Sequence, residues 1–142
     1  MKLLLNGQVV AAGNLSRQVV EGIALALLCS GKGLTVLERV MKDDYAANKA
    51  LRNVRRHCAK LGLLDDALKE LERAQRFYNR YSHPSRSALA EMISLTGEVS
   101  FFGAAFDPEK LPGYQAEVAG RVALANVFVS VIGAARMNLA KW

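Results

Sequence analysis

The segment Arg76-Phe-Tyr-Asn-Arg-Tyr-Ser-His83 puts two guanidinium groups and an imidazole within two helical turns. Arg76 and His83 are seven residues apart, and Arg80 stands four from the first and three from the second. All three therefore project from one face at the end of a helix. A guanidinium holds a phosphate bidentately and keeps its charge at any working pH. A histidine takes or gives a proton near neutrality. Together they suffice for metal-independent RNA cleavage, in which a ribose 2′-hydroxyl attacks its own phosphate and the arginine stabilises the crowded charge. The competing account of His83 is structural: just before Pro84 it sits at a junction, where it could cap the next helix or bond a free carbonyl. Phe77, Tyr78 and Tyr81 lie beside the cluster and could stack a base. Aromatics at helical spacing also build cores, and Tyr78 fits the core stripe of its helix.

A second candidate is a basic face. Between Lys49 and Lys60 the chain carries Lys49, Arg52, Arg55, Arg56, His57 and Lys60, and no acid. Lys49, Arg52, Arg56 and Lys60 fall on one stripe by spacing, and such a stripe can track a phosphate backbone. The bland alternative is a solvated helix face paired with acids elsewhere, such as those of the following helix. Arg52 also stands five residues before His57. That histidine lies inside a continuous helical pattern, without the break that sets off His83. Phosphate-cradling glycine motifs, serine elbows and metal-binding histidine pairs are missing from the sequence, and no cofactor or metal is expected. Cys29 and Cys58 belong to apolar helical patterns with no CxxC or Cys/His cluster, which suits buried free thiols in a reducing compartment.

The elements that must position these groups are helical. Residues 9–30 are expected to form the first helix, with Ala12, Leu15, Val19, Ile23 and Leu27 inward and Val20, Ala24 and Leu28 widening the stripe. Gly31-Lys32-Gly33 breaks it. Arg17 and Glu21 are four apart and can pair. Residues 35–61 form a second helical region with Leu37, Val40, Tyr45, Ala47, Leu51, Val54, Cys58 and Leu61 inward. Asp43-Asp44 marks a fresh start within it, and Gly62 stops it. The third helix covers 65–82, with Leu64, Leu68, Leu71 and Tyr78 as its core stripe. Its acids come early and its bases late, as the helix dipole favours. Pro84 suits the first turn of a fourth helix over 85–95. Residues 96–106 form an ordered loop with a short hairpin. Asp107-Pro108-Glu109 starts a helix, Pro112-Gly113 makes a turn, and the last helix covers 114–139. The expectation is one all-α domain over 1–142, an up-and-down bundle of about five helices with an irregular loop before the last. That last helix is apolar on more than one face, so it either runs through the bundle or forms an oligomer interface.

Composition sets the outer bounds. With 142 residues, 51% of them hydrophobic and 23% charged, the chain can bury a core without disulfides or metal. Its net charge of +6 favours phosphate backbones or acidic surfaces. The opening Met1-Lys2-Leu3-Leu4-Leu5 is ended by Asn6-Gly7-Gln8, too early for an export signal. The apolar stretches 22–29 and 122–135 are shorter than a membrane span needs. The expectation is a cytoplasmic protein without a membrane segment.

These parts resemble a known family. An early helix carries Arg17-Gln-Val-Val-Glu21-Gly-Ile, and a basic second helix carries Tyr45. A third helix ends Tyr78-Asn79-Arg80-Tyr81-Ser82-His83-Pro84-Ser85, followed by a Gly-rich aromatic loop and a long apolar helix. This order resembles the HEPN-like superfamily, within it an uncharacterised bacterial branch with a Tyr-Ser-x-His-Pro-Ser type junction. The resemblance implies a helical bundle, commonly dimeric. It implies a ribonuclease of a toxin or defence module with an Arg-x4-6-His motif facing its twin across the dimer. On this chain Arg76 would hold the phosphate and His83 would transfer the proton, with Arg80 assisting. The family has Asn, Asp or His directly after the arginine, whereas Phe77 follows Arg76; Arg52-Asn53 with His57 obeys that detail. The alternative is a non-catalytic interaction protein that dimerises through its last helix and regulates a protein partner.

Overall fold

The computed structural model describes residues 2–82, 85–94 and 101–142. Its α-helices are α1 (Lys2–Leu5), α2 (Val9–Ser30), α3 (Val36–Met41), α4 (Ala50–Arg56), α5 (Cys58–Leu61), α6 (Asp65–Asn79), α7 (Arg86–Met92) and α8 (Leu111–Leu139). Single 3-10 turns precede α4 and α8, at Ala47–Lys49 and Pro108–Lys110. Strands β1 (Ile93–Ser94) and β2 (Phe101–Phe102) pair antiparallel, Ile93 opposite Phe102. The protein is thus mostly α, with one antiparallel strand pair whose second strand lies in the expected loop 96–106, while its first, Ile93–Ser94, takes the end of the expected fourth helix 85–95.

Three long helices carry the architecture. Asn138 at the end of α8 donates to Ser30 Oγ at the end of α2 (3.3 Å), so these two helices run parallel. The same amide donates to the Leu61 carbonyl at 3.0 Å, just ahead of α6. Tyr81, two residues past the far end of α6, donates to Glu117 near the start of α8. So α6 runs opposite to both. Their shared core holds Val20, Ala24, Leu27 and Leu28 of α2, Leu71 and Tyr78 of α6, and Leu124, Val127, Val131 and Ala134 of α8. Leu51 and Val54 of α4 close one side. Each of the buried leucines and valines among them contributes about 1.5–3 kcal/mol by leaving water.

Several expectations need correction. The second helical region is not one helix but α3, a 3-10 turn, α4 and α5. The first break falls at Asp43, which takes φ 54°. Asp43 and Asp44 follow the C-terminal end of α3, where the helix dipole repels carboxylates, and aspartate tolerates the left-handed region. The second break falls at His57, whose N–H is shared between the Asn53 and Val54 carbonyls, both at 3.1 Å. His57 therefore sits at a junction rather than inside a continuous helix. Pro112 and Gly113 make no turn but lie in the first turn of α8, where proline needs no N–H partner. Leu15 and Val19 of α2, Leu37, and Leu64 before α6 are exposed rather than inward. The inner stripe of α2 runs instead through Val9, Ala12, Gly13, Val20, Ile23, Ala24, Leu27 and Leu28.

Other signals hold. Gly62 ends α5 at φ 64°, a backbone state that costs glycine nothing. Arg17 Nε and Glu21 Oε1 pair at 2.9 Å. Ser85 caps α7, its Oγ accepting from Ala88 N at 3.1 Å and donating to the Arg80 carbonyl at 2.9 Å. The segment before α8 is pinned by Asp107, buried, which accepts from Ser94 Oγ (2.9 Å) and from the Glu109 N–H (3.0 Å). Gly7, at φ 71°, meets this segment so closely that a Cβ there would lie 2.0 Å from the Ala105 carbonyl oxygen.

Candidate functional site

The last turn of α6 and the first half of α8 meet at a buried carboxylate. Glu117 is 2% exposed. Its Oε1 accepts from the Tyr81 hydroxyl and from Arg80 Nη2 (3.2 Å), and its Oε2 accepts from Arg121 Nη2 (3.3 Å). Arg80 also donates to the Tyr81 oxygen at 2.7 Å and lies over the Phe77 ring, 3.7 Å from its centroid. The Tyr81 ring is pressed on Gly13 of α2, where a Cβ would fall 2.2 Å from the ring. Burial, and then the carboxylate that accepts its proton, push the Tyr81 phenol well above its ordinary range. Two guanidinium groups facing one buried carboxylate make a clamp that ties three helices together. The Nε atoms of Arg80 and Arg121 and the Tyr78 hydroxyl are buried without a hydrogen-bond partner among the described residues.

Two of the three expected catalytic residues fall among the described residues, in different surroundings. Arg80 is drawn toward Glu117, with its side chain 38% exposed. Arg76, one turn earlier, is exposed and has no ion pair among the described residues. His83 lies outside the described residues. The Glu117 clamp escaped the sequence reasoning. Its one signal was Glu117 and Arg121 standing four apart at the start of an otherwise apolar helix.

The basic stripe is assembled from two helices and a turn. Lys49 ends the 3-10 turn, Arg52 and Arg56 lie on α4, and Lys60 lies on α5 beyond the break at His57. All four are exposed, and none is paired with a carboxylate among the described residues. Lys60 reaches only a neutral group, the Gly33 carbonyl, at 3.5 Å. Arg55 is different: it pairs with Glu72 of α6 at 3.4 Å, as the bland alternative expected for the whole face. Next to Lys49 is a hollow of about 340 Å³ lined by Arg39, Asp43, Asp44, Tyr45, Ala46, Lys49 and Asn53. Asn53 Nδ2 donates to the Tyr45 hydroxyl at 2.7 Å, and the Arg39 guanidinium lies 5.3 Å from the Tyr45 ring centre. A fixed, half-buried aromatic thus stands at one end of the stripe.

Comparison with family models, curated proteins and solved structures finds no match in any of the three. Burial raises the Cys29 thiol, and burial with the nearby Asp65 and Glu72 charges raises Cys58, so both favour the protonated form. No group of three or more His, Cys, Asp or Glu that could hold a metal occurs among the described residues.

The last helix presents another face. Val122, Val129, Ile132, Met137 and Leu139 are exposed on α8, Val129 by 78%. Residues Pro108–Leu139 form a helical stretch long enough, and over an 18-residue window apolar enough, to cross a membrane by length and composition alone; that window has a mean hydropathy of 1.8 and is 22% buried. The apolar run 122–135 is thus carried by a helix long enough for the span that the run alone falls short of.

Proposed function

We propose that this chain is an RNA-contacting helical protein of HEPN-like type, acting in the cytoplasm as part of a toxin or defence module. It grips a single-stranded phosphate backbone along Lys49, Arg52, Arg56 and Lys60. The observation that supports this is the lack of carboxylate partners on that stripe among the described residues, while Arg55 beside it pairs with Glu72. Unpaired surface cations release counterions on meeting phosphate, and that release drives backbone binding. The half-buried Tyr45 beside Lys49 supports the same reading by offering a ring for a base. Cleavage is the further step of this proposal, with the exposed Arg76 as phosphate holder and His83 as proton carrier. Arg80, held on Glu117, acts by positioning the segment between them.

Binding and cleavage separate experimentally. Fluorescence anisotropy of labelled single-stranded RNA is expected to show the Arg52→Ala/Arg56→Ala double variant binding roughly tenfold more weakly than wild type. Incubation of the same RNA in chelator is expected to give fragments with wild type and none with Arg76→Ala or His83→Ala. Equal binding by wild type and double variant would remove the proposal. Binding without cleavage would leave an RNA-binding element only.

A second reading is favoured by the exposed apolar face of α8: a non-catalytic regulator that works by pairing with protein, itself included. An uncovered face of that size is uncommon on a monomer. Dimerisation and RNA contact involve different helices, so they can coexist.

A further inference from the structure

The hollow beside Lys49 carries groups that a grip on phosphate does not use. At about 340 Å³ it lies at the lower end of small-ligand pockets, roughly 300–1,000 Å³. Two planar groups of its wall are fixed in place. The Tyr45 hydroxyl accepts from Asn53 Nδ2 at 2.7 Å. The Arg39 guanidinium, 5.3 Å from the Tyr45 ring centre, is held by Asp44, its Nε 3.3 Å from Oδ2 and its Nη2 2.9 Å from the backbone carbonyl. Aromatic rings and guanidinium planes are the surfaces on which unstacked bases lie. Asp44 is thereby occupied. Asp43, on the same wall, is exposed and pairs with no cation among the described residues. A free carboxylate repels phosphate, so the group that enters here must offer N–H donors. In a single strand laid on the stripe, those donors belong to base edges.

We propose that this hollow takes one guanine of the bound strand, with the Asp43 carboxylate accepting from its N1–H and N2–H. The inference rests on the RNA-binding reading and deepens it, adding base selectivity to a grip that reads none. Guanine is selected by its donors. Its Watson–Crick edge carries two adjacent N–H groups, which match the two oxygens of one carboxylate as a guanidinium does. Adenine and cytosine each present one amino group beside an acceptor nitrogen that the carboxylate repels. Uracil presents one N–H between two carbonyl oxygens, which it also repels. The placement agrees with this. Lys49 lies on the rim of the hollow and begins the stripe, so the nucleotide whose phosphate meets Lys49 turns its base toward Tyr45 and Asp43. Cations then position the strand and the carboxylate reads it.

The test measures fluorescence anisotropy of labelled oligouridylate and of the same oligomer with one internal guanosine, adenosine, cytidine or inosine. The guanosine oligomer should bind about tenfold tighter than the others, as a bidentate base contact gives. Inosine lacks only the N2 amino group, so it should lose most of that gain, and this comparison needs no variant to fold. Asp43→Asn removes one acceptor and Asp43→Gly removes both, and either residue accepts the φ of 54° at this position. Both variants should bind the guanosine oligomer no better than the adenosine one. Arg52→Ala/Arg56→Ala should weaken every oligomer by a similar factor and keep the preference, because phosphate contacts carry no sequence information. Equal binding of all the oligomers by wild type, with salt-dependent affinity intact, would overturn the guanine site and leave the backbone grip standing. A guanosine preference that survives in Asp43→Gly would overturn the assignment to Asp43. No binding of any oligomer would remove the backbone reading and the guanine site with it.

Discussion

Glu117 is the residue on which most of the described polar chemistry converges. Its two oxygens take hydrogen bonds from Tyr81, Arg80 and Arg121. Removing it leaves two cations facing each other across a buried gap. Glu117→Ala should therefore lower unfolding stability by about 2–4 kcal/mol in urea titration, the lower end applying because water partly screens Arg80. Tyr81 gives a pH signature. Its folded pKa is raised by burial and by Glu117, so the folded state holds that proton more tightly than the unfolded chain. The stability it contributes is full below about pH 10 and is lost as pH rises further. Urea midpoints between pH 8 and 11 should fall more steeply for wild type than for Tyr81→Phe; identical slopes would contradict the linkage. At this scale the sequence was only partly informative. It placed Arg76, Arg80 and His83 on one helical path by spacing alone. Spacing along one helix says nothing about a carboxylate thirty-seven positions away, and that carboxylate decides where Arg80 points.

Single elements were legible where one apolar period ran uninterrupted. The expected first helix, 9–30, matches α2 (Val9–Ser30) end to end, bounded by Gly31. The 65–82 helix matches α6 until the turn after Asn79. The period failed where apolar spacing continues through a local backbone break, as it does from α3 through α5. There the pattern records which side faces the core, not whether the helix is continuous. The position of Leu15 and Val19 failed for another reason: α2 is apolar around most of its circumference, so periodicity left its inner side ambiguous. Gly13 identifies that side, because only a residue without Cβ admits the Tyr81 ring. Gly13→Ala should accordingly destabilise the fold, by about 1–3 kcal/mol in thermal or urea unfolding, as overpacking does. Gly22, on the open side of the same helix, has nothing within 4 Å of its Cβ position. Gly22→Ala should instead stabilise by up to about 1 kcal/mol.

At the scale of the molecule, a basic stripe and an exposed apolar helix face lie on different elements. The net charge of +6 includes an acid-free stripe on α4 and α5, while α8 turns a second apolar side outward. The sequence showed both features but not their relation, because which face of α8 is already used depends on how α2 and α6 pack against it. If that outer face is shared between copies, the thermal midpoint rises with protein concentration, since association stabilises by mass action. A midpoint independent of concentration over a hundredfold range would place the chain as a monomer. RNA binding is the central claim, and the salt dependence of affinity addresses it most directly. For single-stranded RNA, the logarithm of the binding constant should fall with the logarithm of salt with a slope of about −3, roughly −0.7 for each of the four cations on the stripe. Arg52→Ala/Arg56→Ala should bring that slope to about half. A wild-type slope near zero, or one that the double variant leaves unchanged, would contradict a grip through Lys49, Arg52, Arg56 and Lys60.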